Sequence, residues 1–106
     1  MNAKLYESGA ELLFNAVLSL KTPEECCGFF EDICTIPEIR AMSQRLVVAK
    51  MLYDKRLYSE ITAETGASTA TISRVSRSMN YGKNSYTVVF DRLGGKEAPD
   101  EPPDLS

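Results

Sequence analysis

Residues 58–80, YSEITAETGASTATISRVSRSMN, carry the side chains best suited to binding another molecule. In their second half, small hydroxyl and methyl side chains are interspersed with two arginines. Hydroxyls and methyls can contact base edges in the major groove of DNA, and arginines can hold phosphates. The candidate DNA-binding residues are Ser68, Thr69, Ala70, Thr71, Ser73, Arg74 and Arg77.

The spacing of apolar and turn-forming residues in this stretch predicts a helix-turn-helix. Gly66 can adopt the left-handed conformation that ends a first helix, and Ser68 can cap the start of a second. Ile72 and Val75, three residues apart, would pack back on Ile61 of the first helix. The candidate DNA-binding residues that follow Ser68 then share the opposite face. The alternative is a plain helical hairpin on a protein surface.

The same stretch lacks the side chains that usually read bases in a bidentate way. No Asn or Gln lies between Ser68 and Arg77. We therefore expect water-mediated contacts and DNA shape to matter more than usual. Lys55, Arg56 and Lys83 are additional candidates for phosphate contacts, which fix register without reading sequence.

Charge is distributed unevenly along the chain. The net charge is −3, which by itself argues against nucleic acid. Residues 40–83, however, carry eight Lys and Arg against three acidic residues, whereas residues 1–39 carry two against seven. The positive block contains the predicted helix-turn-helix, and the acidic remainder would repel DNA and orient its approach. The alternative is an ordinary solvated surface.

Length and composition indicate one small globular domain. The chain has 106 residues, of which 43% are apolar. We expect a helical domain over residues 1–93 and a disordered, acidic tail over residues 94–106, because the tail is rich in Gly, Pro and acids. No apolar run is long enough for a membrane span and the N-terminus has no signal-peptide pattern, so a cytoplasmic location is expected.

Catalytic and metal-binding residues are sparse. The chain has no histidine, which removes the commonest general base, and it lacks the GxGxxG and Walker patterns. Cys26, Cys27 and Cys34 do not supply the four ligands of a usual zinc site, so neither a metal nor a cofactor is predicted. We expect the cysteines to be small buried residues and the protein not to be an enzyme.

Four helices are predicted outside the helix-turn-helix. Residues 4–20 are apolar nearly all round, which favours a partner chain over an isolated, unusually apolar helix. Thr22-Pro23-Glu24-Glu25 and Thr35-Ile36-Pro37-Glu38 each begin a helix, the second running to about Tyr53. The first of these two should bury Cys26 or Cys27, Phe29, Phe30, Ile33 and Cys34, and the second Ile39, Met42, Leu46, Ala49 and Met51 or Leu52. Residues 85–93 are ambiguous, and we favour a short helix packing through Val88, Val89 and Phe90 over a strand without a partner.

The segments ETGASTATISRVSRSMNYG, FFEDICTIPEIRAMSQRLVVAKML and LSLKTPEECCGFF resemble the Trp repressor superfamily, and more closely its YerC/YecD-type branch. The resemblance covers about residues 5–93, and GASTATISR is its most specific part. It implies an all-α fold in which helices of two chains interlock into a homodimer. It also implies a transcriptional regulator that binds double-stranded operator DNA through the helix-turn-helix.

The resemblance further implies a pocket for a small-molecule effector. In the Trp repressor two arginines hold the effector, and Arg45 and Arg74 match them, while Thr35 matches a threonine that lines the pocket. Val75 replaces a glycine beside the indole, so a tryptophan effector is not expected. Arg45 could equally form a surface ion pair. A second functional hypothesis is that the helix-turn-helix is a protein-interaction module docking on the transcription machinery.

Overall fold

The computed structural model describes Lys4 and residues 8–94, and the elements of that part of the chain are all helical. The helices are α1 (Ala10–Leu18), α2 (Pro23–Ile33), α3 (Ile36–Tyr53), α4 (Tyr58–Thr65), α5 (Thr69–Tyr81) and α6 (Ser85–Arg92). This confirms the predicted all-α fold. The chain divides into two compact units, residues 1–39 and residues 40–106. The predicted single domain over 1–93 stays a prediction, and most of the predicted tail lies outside the described residues.

The first unit is built from amphipathic helices that bury nothing on their own. Within the predicted helix over 4–20, Gly9 adopts a left-handed conformation (φ +86°) and α1 begins directly after it, while Lys4 is also helical. Tyr6, part of the predicted stripe, lies outside the described residues. Leu12 and Leu18 of α1 are 77% and 81% exposed. Neither α1 nor α2 contains a buried residue.

The predicted helix starts are confirmed in atomic detail. The Thr22 hydroxyl accepts from the Glu25 amide at 3.1 Å, and the Glu25 carboxylate accepts from the Lys21 amide at 3.0 Å. At the start of α3, the Glu38 carboxylate accepts from the Thr35 amide at 2.7 Å, and the Thr35 hydroxyl accepts from the Glu38 amide at 3.3 Å. Each pair satisfies amides that a helix start would leave without partners.

The predicted burial in α2 is wrong for the single chain. Cys26, Cys27 and Ile33 are exposed, and Phe29, Phe30 and Cys34 are only half-buried. The periodicity of α2 identifies an apolar face but does not say what covers it, and no residue of α2 is buried in the part of the chain that the structure describes. In α3 the predicted stripe is only partly right, since Ala49 and Met51 are buried but Met42 and Leu46 are exposed.

The second unit has a continuous core between α3, α4, α5 and α6. Its buried members are Val48, Ala49, Met51, Tyr53, Ile61, Ala67, Ile72, Val75 and Phe90. Residues 85–93 form the predicted short helix, but Val88 and Val89 are 45% and 43% exposed. Phe90 packs instead, with its ring centroid 5.4 Å from that of Tyr53. The Tyr53 hydroxyl donates to Asp91 at 2.5 Å, which joins α3 to α6.

Candidate nucleic-acid interface

Gly66 ends α4 in the conformation predicted from the sequence. Its backbone is left-handed (φ +71°, ψ 5°), and its amide donates to the Thr62 carbonyl at 3.0 Å. An L-residue with a side chain rarely adopts this conformation, so glycine is the residue that closes the helix with least strain. The direction in which the chain leaves α4 therefore depends on Gly66.

Thr65 and Gln44 also fix the turn, and neither residue was predicted from the sequence to contribute to it. The Thr65 hydroxyl donates to the Ile61 carbonyl at 2.6 Å and accepts from the Ala67 amide at 3.1 Å. The Gln44 side chain on α3 donates to the Thr65 carbonyl at 3.2 Å. A threonine directly before a helix-ending glycine is a weak sequence signal for the hydrogen bonds of the Thr65 hydroxyl. The sequence contains no signal for the hydrogen bond from Gln44 to Thr65.

Ser68 caps α5 as predicted. Its hydroxyl accepts from the Thr71 amide at 3.1 Å and lies 3.1 Å from the Thr71 hydroxyl, to which it donates. The cap satisfies one amide in the first turn and fixes where the helix begins. The hydroxyls of Ser68 and Thr71 are therefore held together at the N-terminus of the helix.

The two faces of α5 separate as the periodicity predicts. Ile72 and Val75 are buried at 0% and 2% exposure, against Ile61 and the rest of the core. Thr71 is half-buried, and the other candidate DNA-binding residues of the helix are exposed: Thr69, Ala70, Ser73, Arg74 and Arg77. The helix contains no acidic residue. Its exposed side is thus a small-residue surface with two positive charges, which we call the α5 face (Thr69, Ala70, Ser73, Arg74 and Arg77).

The arginines near the helix-turn-helix differ in whether they form ion pairs with carboxylates. Arg74 and Arg77 form no ion pair with any residue that the structure describes. The Arg56 guanidinium lies 2.7 Å from a Glu64 carboxylate oxygen and 3.3 Å from one of Glu60. Those bonds, led by the one to Glu64, raise the pKa of Arg56. Arg74 and Arg77 are therefore more available to a phosphate than Arg56.

Two further cations flank the site without carboxylate partners among the described residues. Lys55 is exposed with a left-handed backbone (φ +64°), directly before Arg56 in the connection between α3 and α4. Lys83 is exposed between α5 and α6. Both stay predictions as phosphate contacts.

The predicted effector pocket draws on separate parts of the chain. The Thr35 hydroxyl is used as the cap of α3, Arg45 is half-buried on that helix, and Arg74 is exposed on α5. The side chain of Val75 fills part of the core of the second unit. The pocket and its effector stay predictions.

Two clefts in the second unit were not expected from the sequence. One, of about 400 Å³, is lined by Leu52, Tyr53, Lys55, Ser76, Met79, Asn80, Asn84 and Thr87. The other, of about 260 Å³, is mostly apolar and is lined by Leu46, Val47, Lys50, Phe90 and Leu93. They result from tertiary packing of α3 against α5 and α6, which sequence periodicity does not specify.

Among residues 8–94 and Lys4, no three metal-ligating side chains cluster. The Cys27 thiol donates to Glu31 at 2.8 Å, and this bond, with the nearby negative charge, raises the pKa of the thiol. A raised pKa lowers the thiolate fraction and hence the nucleophilicity of Cys27. No helix in the described part of the chain has the length and apolar character to cross a membrane.

Comparison with known proteins gives consistent matches. Residues 8–94 match the profile of the family described as Trp repressor protein. The uncharacterized protein YerC of Bacillus subtilis is 53% identical over 90 residues, which is 85% of this chain and 86% of YerC.

Solved structures give the same result. A TrpR-like protein from Eubacterium eligens has a TM-score of 0.86 at 57% identity, covering 92% of this chain and all of that one. A putative Trp repressor from Staphylococcus aureus has a TM-score of 0.81 at 47% identity, covering 86% of this chain and 91% of that one. The fold is therefore that of TrpR-like proteins.

Proposed function

The chain belongs to the Trp repressor protein family, and from this premise we propose that it is a cytoplasmic transcriptional regulator that binds operator DNA as a homodimer. The family itself indicates a helix-turn-helix DNA-binding regulator. The sequence specificity, the dimer and the residue roles are the parts that we add.

The observation that carries the proposal is the α5 face. It combines exposed small side chains with two arginines that lack ion-pair partners in the described part of the chain. An α-helix fits the width of the major groove, and small residues let its backbone approach the base edges closely. Negative charge on this helix would oppose such an approach, and it has none.

The side chains of α5 take two roles in the proposed complex. Thr69, Ala70, Thr71 and Ser73 face base edges, where hydroxyls can donate or accept and methyls can contact thymine. Arg74 and Arg77 bind phosphates and set the register of the helix in the groove. Ser68 acts first as the cap of α5, and its amide and hydroxyl lie beside the same backbone phosphates.

The dimer is supported by apolar surface that the single chain leaves uncovered. Leu12 and Leu18 of α1 are more than three-quarters exposed, and neither α1 nor α2 has a buried residue. Exposed apolar patches of this kind usually mark an interface with another chain. In a dimer that binds two half-sites, the two α5 helices would enter adjacent major grooves about 34 Å apart. A monomeric mass in solution at micromolar concentration would contradict the dimer.

The first experiment measures binding to labelled duplex DNA over a range of salt concentrations, for the wild type, Arg77→Ala and Arg92→Ala. Arg92 is an exposed arginine on α6 and serves as the matched control. Arg77→Ala should weaken binding to all duplexes and reduce the slope of log K against log salt by about one, because one phosphate contact is lost. Arg92→Ala should leave the slope unchanged. Equal effects of the two substitutions would refute the role of Arg77.

The second experiment tests base reading by Thr71. Thr71→Val keeps the shape of the side chain and removes the hydroxyl, so the preference among operator sequences should change. An unchanged preference would refute this role. Salt-insensitive association with proteins only, and none with DNA, would favour the protein-interaction module instead.

The effector site is a separate part of the proposal. Thr35, Arg45 and Arg74 are its candidate residues, and the packed side chain of Val75 argues against an indole ligand. A metabolite that changes operator affinity in the wild type but not in Arg45→Ala would support the site. A metabolite effect that survives Arg45→Ala would exclude it.

A further inference from the structure

We propose that the acidic segment at residues 97–104 binds the α5 face of its own chain and competes there with DNA. The inference rests on the proposed DNA-binding function and adds a partner for the same surface. It assigns a role to acidic residues for which the sequence predicts only a disordered tail.

The α5 face lacks a negative partner in the described part of the chain. Arg74 and Arg77 have no ion pair there, and the carboxylates of Glu60 and Glu64 on α4 are already bound by Arg56. A helix surface with two unsatisfied cations attracts any flexible anion within reach. The phosphates of DNA and the carboxylates of an acidic segment are both anions that can pair with these arginines.

The segment after Gly94 has the complementary charge. Residues 95–106 contain one lysine against four acidic residues: Glu97, Asp100, Glu101 and Asp104. The proline residues at 99, 102 and 103 disfavour a helix in this sequence. Neutralisation of Arg74 and Arg77 requires only two of these four carboxylates.

The segment starts close enough to reach the α5 face. Leu93 lines the apolar cleft with Leu46 of α3, and Gln44, two residues earlier on α3, contacts the turn at Thr65. The turn leads directly into α5. A random coil of twelve residues, the number from 95 to 106, would span about 20 Å root-mean-square, comparable to the length of α5 at about 1.5 Å per residue. Covalent attachment gives an effective concentration in the millimolar range.

The test compares two variants that remove the same amount of negative charge. The segment variant carries Asp100→Asn, Glu101→Gln and Asp104→Asn. The control variant carries Glu11→Gln, Glu24→Gln and Asp32→Asn, which are exposed residues of α1 and α2 outside the α5 face. Both changes raise the net charge of the chain by three, so an effect of net charge alone would appear in both variants.

The first readout does not involve DNA. Backbone amide NMR shifts of residues 69–77 should differ between wild type and the segment variant at low salt. The difference should vanish at high salt, where the Debye length falls to about 3 Å. The control variant should match wild type. Identical shifts in the wild type and the segment variant would overturn the inference, whatever the DNA result.

The second readout is binding to a random duplex. The segment variant should bind about five- to tenfold more tightly at low salt, from the loss of two or three weak surface ion pairs, and the gain should shrink as salt rises. An equal gain in the control variant would overturn the inference, since the effect would then be generic. If the NMR shifts differ as expected but no form binds DNA, the contact of the segment stands and the proposed function fails.

Discussion

Replacement of Gly66 by alanine tests whether the helix-turn-helix depends on a left-handed residue at its turn. Gly66 has φ +71°, and a Cβ built there meets no atom within 4 Å. The penalty is therefore that of the backbone conformation alone, about 1–2 kcal/mol for an L-residue in the left-handed region. For a domain of this size, each kcal/mol lowers the midpoint of thermal unfolding by about 4–8 °C.

Gly28 supplies the matched control. It lies inside α2 with a right-handed backbone, and a Cβ there also meets nothing within 4 Å. Gly28→Ala should stabilise the protein by about 0.5–1 kcal/mol, because alanine favours the helix over the unfolded chain. Glycine-to-alanine substitution should thus lower the free energy of unfolding at Gly66 and raise it at Gly28.

The assay is thermal unfolding followed by circular dichroism, at one fixed protein concentration because assembly would shift the midpoint. Gly66→Asn should lie between wild type and Gly66→Ala, since asparagine tolerates the left-handed region better than alanine. A neutral or stabilising Gly66→Ala would refute the assigned geometry of the turn. A loss of DNA binding at temperatures where Gly66→Ala remains folded would link that geometry to the placement of α5.

Three smaller predictions concern helix caps and one interhelical bond. Ser68→Ala should destabilise the fold by about 1 kcal/mol through the lost N-cap, whereas Ser73→Ala on the exposed side of α5 should change the unfolding midpoint little. The pKa of Tyr53 is raised above its ordinary 10.0, chiefly by the bond to Asp91, so this bond stabilises the fold below pH 10 and is lost as pH rises through the higher folded pKa. Absorbance titration of wild type against Tyr53→Phe isolates the Tyr53 phenolate, which should form at lower pH in Asp91→Asn than in wild type. An unchanged titration in Asp91→Asn would rule out the bond. The pKa of Glu38 is lowered from 4.5, first by the bond from the Thr35 amide, so its contribution to stability is present above that pH and lost as pH falls through the folded value. The stability difference between wild type and Glu38→Ala should therefore disappear in acid, and a difference that persists would contradict the assignment.

Local features of this chain were predictable from local sequence. The caps at Thr22, Thr35 and Ser68 and the stop at Gly66 each need only residues within one helical turn, and the structure confirms them. The buried pair Ile72 and Val75 also follows from spacing alone. The α5 face is the complement of that pair, so its position followed as well.

Burial across the chain was less predictable, because periodicity shows which face is apolar but not what covers it. Phe29 and Ile33 of α2 have helical spacing like Ile72 and Val75 of α5, yet only Ile72 and Val75 are fully buried. In α6, Phe90 is buried and Val88 and Val89 are exposed, because the ring of Phe90 packs on that of Tyr53. These two residues are 37 positions apart in sequence, so no local pattern predicts the contact. The contact of Gln44 with Thr65 is similarly long-range and had no local signal.

The charge pattern indicated the candidate DNA interface but did not show which of its arginines and lysines are free of ion pairs. Arg56, Arg74 and Arg77 look equivalent in sequence. In the structure Arg56 is bound by Glu60 and Glu64, four and eight residues along the chain, while the two arginines of α5 have no such partner among the described residues. That difference concentrates the proposed phosphate contacts on α5.

The central claim is sequence-specific DNA binding by a dimer through α5. The most direct test is to select genomic DNA fragments with the purified full chain and then to footprint the selected fragments. The account predicts discrete protected sites with two related half-sites about 10 base pairs apart, centre to centre. Protection should weaken at all sites in Arg77→Ala and persist in Arg92→Ala. Uniform recovery of fragments with no protected sequence, or sites without a two-fold repeat, would contradict it.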